Sequence, residues 1–131
     1  MAIRVVRLGG PRTTKEGPRF GTVRRPPRGV KKQDYASLDY YDAWLPDLAP
    51  SAALFKWATS QPLTPARWTQ FANRYRREMR EPAAARLIGV LAALSAQADF
   101  AVGCYCEDES RCHRSLLRQL LAEAGARLRD D

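Results

Sequence analysis

Apolar residues along the chain follow two periods, and these divide it into elements. Ile3 to Leu8 is short and rich in β-branched residues, the composition of a strand, and Gly9-Gly10-Pro11 ends it. Phe20 to Val23 is a second candidate strand, stopped by Pro26-Pro27, neither of which can donate to a ladder. A short extended segment is expected around Tyr40–Leu45, within an aromatic stretch whose rings fill a core edge. Then the period lengthens. Ser51 is placed to cap a helix over Ala52–Thr59, and Thr64-Pro65 is an N-cap followed by proline at the first helical position. Trp68, Phe71, Ala72, Tyr75 and Met79 recur on one face of the helix that follows. Pro82 opens another, with Leu87, Ile88, Leu91 and Leu94 on its inner face.

Phe100 to Cys106 is apolar without alternation, as expected of a strand buried on both faces. Leu116, Leu117, Leu120 and Leu121 mark a final helix with Gly125 at its C-terminal cap, and Ala126–Arg129 adds a short strand. Strands at both ends and a helical middle predict an α/β fold. The expected architecture is one small domain over residues 1–131, with a few-stranded, mainly parallel sheet flanked by about five helices.

Length and composition agree with this. The chain has 131 residues, 45% of them hydrophobic, enough for one core and too short for two ordinary domains. The longest apolar run, Leu87 to Leu94, is far below the roughly 20 residues that span a bilayer. The N-terminus has no continuous apolar stretch, so no secretory signal and no membrane partner are expected. Three cysteines without such a signal argue against a disulfide scaffold and point to a cytoplasmic protein.

The charge is uneven. Of the net +8, all lies in residues 1–35, where ten basic groups face two acidic ones; the rest of the chain is neutral. Such a segment is either an anion-binding face or a solvated surface of an arginine-rich protein. Eighteen of the 22 basic residues are arginine, which suits the second reading, but the local shortage of acids suits the first.

The chemistry concentrates in Cys104-Tyr-Cys106-Glu-Asp-Glu-Ser-Arg-Cys112-His113-Arg114, which holds every cysteine and the only histidine. It joins a buried strand to a helix, the place where open α/β sheets bind ligands and where helix N-termini attract anions. Asp108 or Ser110 is the expected N-cap, which puts Cys112 in or near the first turn. Three readings compete. In the first, Cys112 is a reactive thiolate, His113 a base and Arg114 an oxyanion or phosphate holder. The run Glu107-Asp108-Glu109 opposes this. In the second, the cysteines and His113 bind zinc. Their types suit it, but Cys104 and Cys106 on one strand lie roughly 6.6 Å apart, and neighbours on a helix diverge by about 100°. That geometry predicts no stoichiometric zinc. In the third, Cys104 and Cys106 are small hydrophobes that pack.

These residues resemble a known family. Cys104-x-Cys106-x5-Cys112-His113-Arg114 after an apolar strand resembles the C-terminal signature of the bacterial family called domain of unknown function 488 (DUF488). Tyr41-Asp-Ala-Trp44-Leu45-Pro46-Asp-Leu48-Ala49-Pro50-Ser51 and Trp68-x-x-Phe71-x-x-x-Tyr75 are similar to its short form, as is Arg24-Arg-Pro-Pro27-Arg28-Gly29. The resemblance spans roughly residues 3–125. It implies a small cytoplasmic bacterial α/β protein of unassigned activity.

The expected function is anion or phosphate binding with a reactive cysteine at the strand-to-helix junction. Catalysis falls to Cys112, His113 and Arg114, and anion binding to Arg24, Arg25, Arg28 and Arg111. No metal and no cofactor are assigned. The partner is a small anionic ligand or nucleic acid. The alternatives are a non-catalytic nucleic-acid-associated module using the basic N-terminal face, or a small zinc-binding structural domain.

Overall fold

The computed structural model describes residues 1–130. Five parallel strands form one sheet: β1 (Ile3–Arg7), β2 (Arg19–Gly21), β3 (Ala43–Trp44), β4 (Phe100–Cys104) and β5 (Leu128–Arg129), in the order β3-β2-β4-β1-β5. Four α-helices accompany it, rather than about five: α1 (Ala52–Thr59), α2 (Pro65–Glu78), α3 (Pro82–Leu94) and α4 (His113–Glu123). The protein is a single small α/β domain with a parallel sheet.

The helices start where local chemistry says they should. The Ser51 hydroxyl accepts from the Leu54 N–H, and the Thr64 hydroxyl accepts from the Arg67 N–H. Pro65 and Pro82 sit in the first turns of α2 and α3, where no N–H is needed. Gly125 follows α4 with φ +89°, a left-handed conformation that a Cβ would strain. The strands are shorter than expected. β2 stops at Gly21, and β4 stops at Cys104, two residues before the apolar run ends.

All four helices pack on one face of the sheet. Ile3, Phe100 and Val102 from the strands meet Leu54, Phe71, Tyr75, Ile88, Leu91 and Leu117 in one buried cluster. Leu94 does not join it. It is 46% exposed, because the buried stripe of α3 runs through Ala84, Ile88, Leu91 and Ala92 and leaves Val90 and Leu94 outside. The other face carries no α-helix among the described residues. Loop segments cover it instead, and they lie close: the Tyr41 ring sits over Gly21 and Leu8 over Gly103, where side chains would collide. Under the same loops, Arg19 is buried against Glu16 and donates to the carbonyls of Gly10, Pro11 and Asp39. Charge in this segment is thus partly structural.

Candidate functional site

The site lies at the carboxyl edge of the sheet. In the parallel register Cys104 stands opposite Arg7 and Gly103 opposite Gly21, so β1, β2 and β4 end together. Beyond Cys104 the chain turns. Asp108 caps a short 3-10 turn, Glu109–Arg111, by accepting from the Ser110 N–H. Cys112 is then the N-cap of α4 itself, next to its first turn as expected, and neither Asp108 nor Ser110 is that cap.

This turn brings the three sulfurs together. The Sγ atoms of Cys104, Cys106 and Cys112 lie within 4.8 Å of one another, with Cys104 and Cys106 at 3.6 Å. The spacing argument against a metal therefore fails. It assumed that Cys104 and Cys106 shared an extended strand, but β4 ends at Cys104 and the chain folds Cys106 back. Cys104 and Cys112 are buried, and Cys106 is exposed.

His113 is fixed behind them. Its Nε2 lies 2.6 Å from the Thr22 carbonyl, which makes Nε2 the protonated nitrogen and leaves Nδ1 with its lone pair, 3.8 Å from Cys112 Sγ. Burial holds its pKa down at about 4, against the opposing pull of the Thr22 carbonyl, so the ring is neutral. Arg114 turns away from the open side: it donates to the Cys106 carbonyl at 2.6 Å, while its buried Nε has no partner among the described residues. It braces the Cys106 loop.

The acidic run does not face the sulfurs. Glu107 reaches out to Arg7, Glu109 pairs with Arg118, and Asp108 is occupied by Ser110. The Cys106 thiol is lowered, first by hydrogen bonding from Cys104 and then from Cys112, with the Arg114 charge adding a smaller contribution against burial. Cys104 is raised by that same bond to Cys106, by its bond to Cys112 and by burial. Cys112 is pulled down by Cys104 but raised further by donation to Cys106 and by burial, to about 11. The direction favours ionisation at Cys106, the one of the three thiols that water reaches.

A cleft of about 700 Å³ opens above the sulfurs. Arg24, Arg25, Arg28 and Arg111 all line it, with Cys112 and His113 at its foot, so the structure gathers segments 80 residues apart into one site. Arg114 does not line it. Sequence reasoning missed Arg7, Phe55, Leu63 and Tyr105 in the lining, and favoured a core edge for Tyr40, which lines it too. Only the position of Arg7 at a strand end was a usable signal.

The family profile of the active DUF488-N3 subclade, DUF488-N3a, matches residues 3–125. The chain belongs to this DUF488 family. The match covers the basic segment, the sheet and the three cysteines of this DUF488 domain alike. No curated protein and no solved structure matches it. No helix among the described residues is long and apolar enough to cross a membrane.

Proposed function

We propose that this DUF488 protein is a thiolate metal-binding domain, in which Cys104, Cys106 and Cys112 hold one soft ion, zinc by preference, at the foot of a cleft for anionic ligands. The mutual approach of the three sulfurs carries the reading. Zinc–thiolate bonds of about 2.3 Å in a tetrahedral set need sulfurs roughly 3.8 Å apart. Cys104 and Cys106 are already at 3.6 Å. Cys112 Sγ lies within 4.8 Å of both. The histidine supports it as well: an imidazole whose far N–H is tied to a carbonyl is the usual arrangement beside a bound metal, and His113 has that tie to Thr22. Three sulfurs leave a fourth position facing the cleft, for water or a ligand. Arg24, Arg25, Arg28 and Arg111 are the proposed anion contacts.

The subclade's description as active favours a second reading of the same residues. In it the exposed Cys106 acts as a thiolate nucleophile, while Cys112, His113 and Arg114 set its proton and its loop. The two readings part on metal content. Protein purified under reducing conditions without chelator is expected to carry about one zinc per chain, and cobalt exchange should give intense sulfur-to-metal charge-transfer bands. Substituting Cys106→Ser or Cys112→Ser should lower both. Reduced protein that takes up no zinc or cobalt at neutral pH would overturn the metal reading and leave the thiolate.

A further inference from the structure

Five arginines line the cleft, Arg7, Arg24, Arg25, Arg28 and Arg111, and no carboxylate among the described residues does. Their pairing elsewhere is unequal. Of the seven arginines in the basic N-terminal segment, Arg4, Arg7, Arg12 and Arg19 each meet a carboxylate. Arg24 spends its donors on the carbonyls of Pro50 and Pro46, which leaves its charge uncompensated. The Arg25 and Arg28 side chains have no hydrogen-bond or ion-pair partner among the described residues, and both are exposed. Arg111, which crosses to the Leu63 carbonyl, also meets no carboxylate among the described residues. The unbalanced arginines of the segment thus gather at one opening. A single phosphate needs fewer donors than this, and a guanidinium fork suits phosphate oxygens in pairs.

The other wall is apolar. Phe55 on α1 is 40% exposed, yet it lines the cleft and has no ring partner among the described residues. Leu63 and the pyrrolidine rings of Pro26 and Pro27 extend this surface, while Tyr40 and Tyr105 meet edge to face at 6.1 Å. Phe55 and the unpaired guanidiniums of Arg25 and Arg28 line the same opening, so a ligand with one planar apolar part and one anionic part would meet both. We infer that the cleft binds a nucleoside phosphate, its phosphate held by Arg25 and Arg28 and its base against Phe55. The cleft volume fits such a ligand, since small-molecule sites run from about 300 to 1,000 Å³.

This inference rests on the cleft being the anion site. It does not require the ion, so metal content is measured separately on every sample. The test is calorimetric titration of the whole chain, both zinc-loaded and metal-stripped, with AMP, ribose 5-phosphate, adenosine and inorganic phosphate. AMP should bind best. Removing the base or the phosphate should each weaken binding about tenfold or more. Phe55→Ala should weaken AMP and leave ribose 5-phosphate unchanged, whereas Arg28→Glu should weaken both, and affinity should fall with salt. Both positions are exposed, so folding is not at stake. Ribose 5-phosphate binding as tightly as AMP would overturn the base contact, and adenosine binding as tightly would overturn the phosphate contact. A short single-stranded DNA that binds while AMP does not would overturn the inference in favour of a nucleic-acid strand. Absence of zinc with AMP still bound would sink the metal reading alone.

Discussion

The His113 ring nitrogen Nε2 and the Thr22 carbonyl meet at 2.6 Å across 91 residues of sequence. Thr22 in turn donates its N–H and its hydroxyl to the Gly103 carbonyl, each at 3.0 Å. One residue after β2 therefore clasps the end of β4 to the start of α4. His113→Ala leaves a buried carbonyl unpaired, a loss of about 1–3 kcal/mol. Urea midpoints should fall accordingly, and His113→Gln, which can still donate, should recover part of the loss. An unchanged midpoint in the alanine variant would show that the clasp holds nothing.

Cys106 is the exposed cysteine, and Cys104 and Cys112 are 5% and 2% exposed. In metal-free protein, iodoacetamide should label Cys106 before the other two, resolved by peptide mass. Added zinc should suppress that labelling. Preferential labelling of Cys112 would contradict the placement of these side chains.

Asp42 offers a pH handle away from the sulfurs. Burial pushes its carboxyl up, but hydrogen bonds from Arg12 and the Arg19 N–H, with both positive charges, outweigh this and hold it below the ordinary range. The folded pKa is below the unfolded one, so Asp42 contributes stability above the unfolded value, and that contribution is lost as pH falls through the folded value. Asp42→Asn should flatten the acid limb of the stability curve below about pH 4 and leave its neutral shape alone. An acid limb as steep as in the parent would rule out this contribution.

Gly103 is the tightest point of the central strand. A Cβ there would lie 2.7 Å from a Leu8 methyl and 2.8 Å from the Val6 carbonyl oxygen. Backbone cannot yield as a side-chain tip can. Gly103→Ala should cost about 1–3 kcal/mol, read from thermal or urea unfolding, and Gly103→Val should cost more. Gly89 on α3 has open space at its Cβ, so Gly89→Ala should be neutral or stabilising and serves as the control.

Glu16 is 1% exposed and Arg19 is 1% exposed, and they pair under the loop over the sheet. Glu16→Gln leaves the Arg19 guanidinium buried without its counter-charge, a loss of about 3–5 kcal/mol. Glu16→Ala together with Arg19→Met should be milder than Glu16→Gln alone. If the double variant is the worse of the two, burial of the charge is not what the pair relieves.

The helices were legible because their signals are local. Ser51, Thr64-Pro65 and Pro82 each act on amides within four residues, so α1, α2 and α3 begin where the sequence alone placed them. The same holds for the α/β class, which needs only the order of strand-like and helix-like segments. The site was legible as a place and not as a geometry. Cys104, Cys106, Cys112 and His113 announce a strand-to-helix junction. Whether three sulfurs meet depends on where β4 stops, and β4 stops where pairing with β1 ends, at Arg7 opposite Cys104. Likewise, ten basic residues in one segment do not reveal which are spent. Arg19 and Arg12 find carboxylates in the loops, while Arg25 and Arg28 are left on the cleft. Sequence determined what depends on neighbours a turn away. Sheet register and loop closure decided the rest, because they set distances between residues that the chain itself keeps far apart.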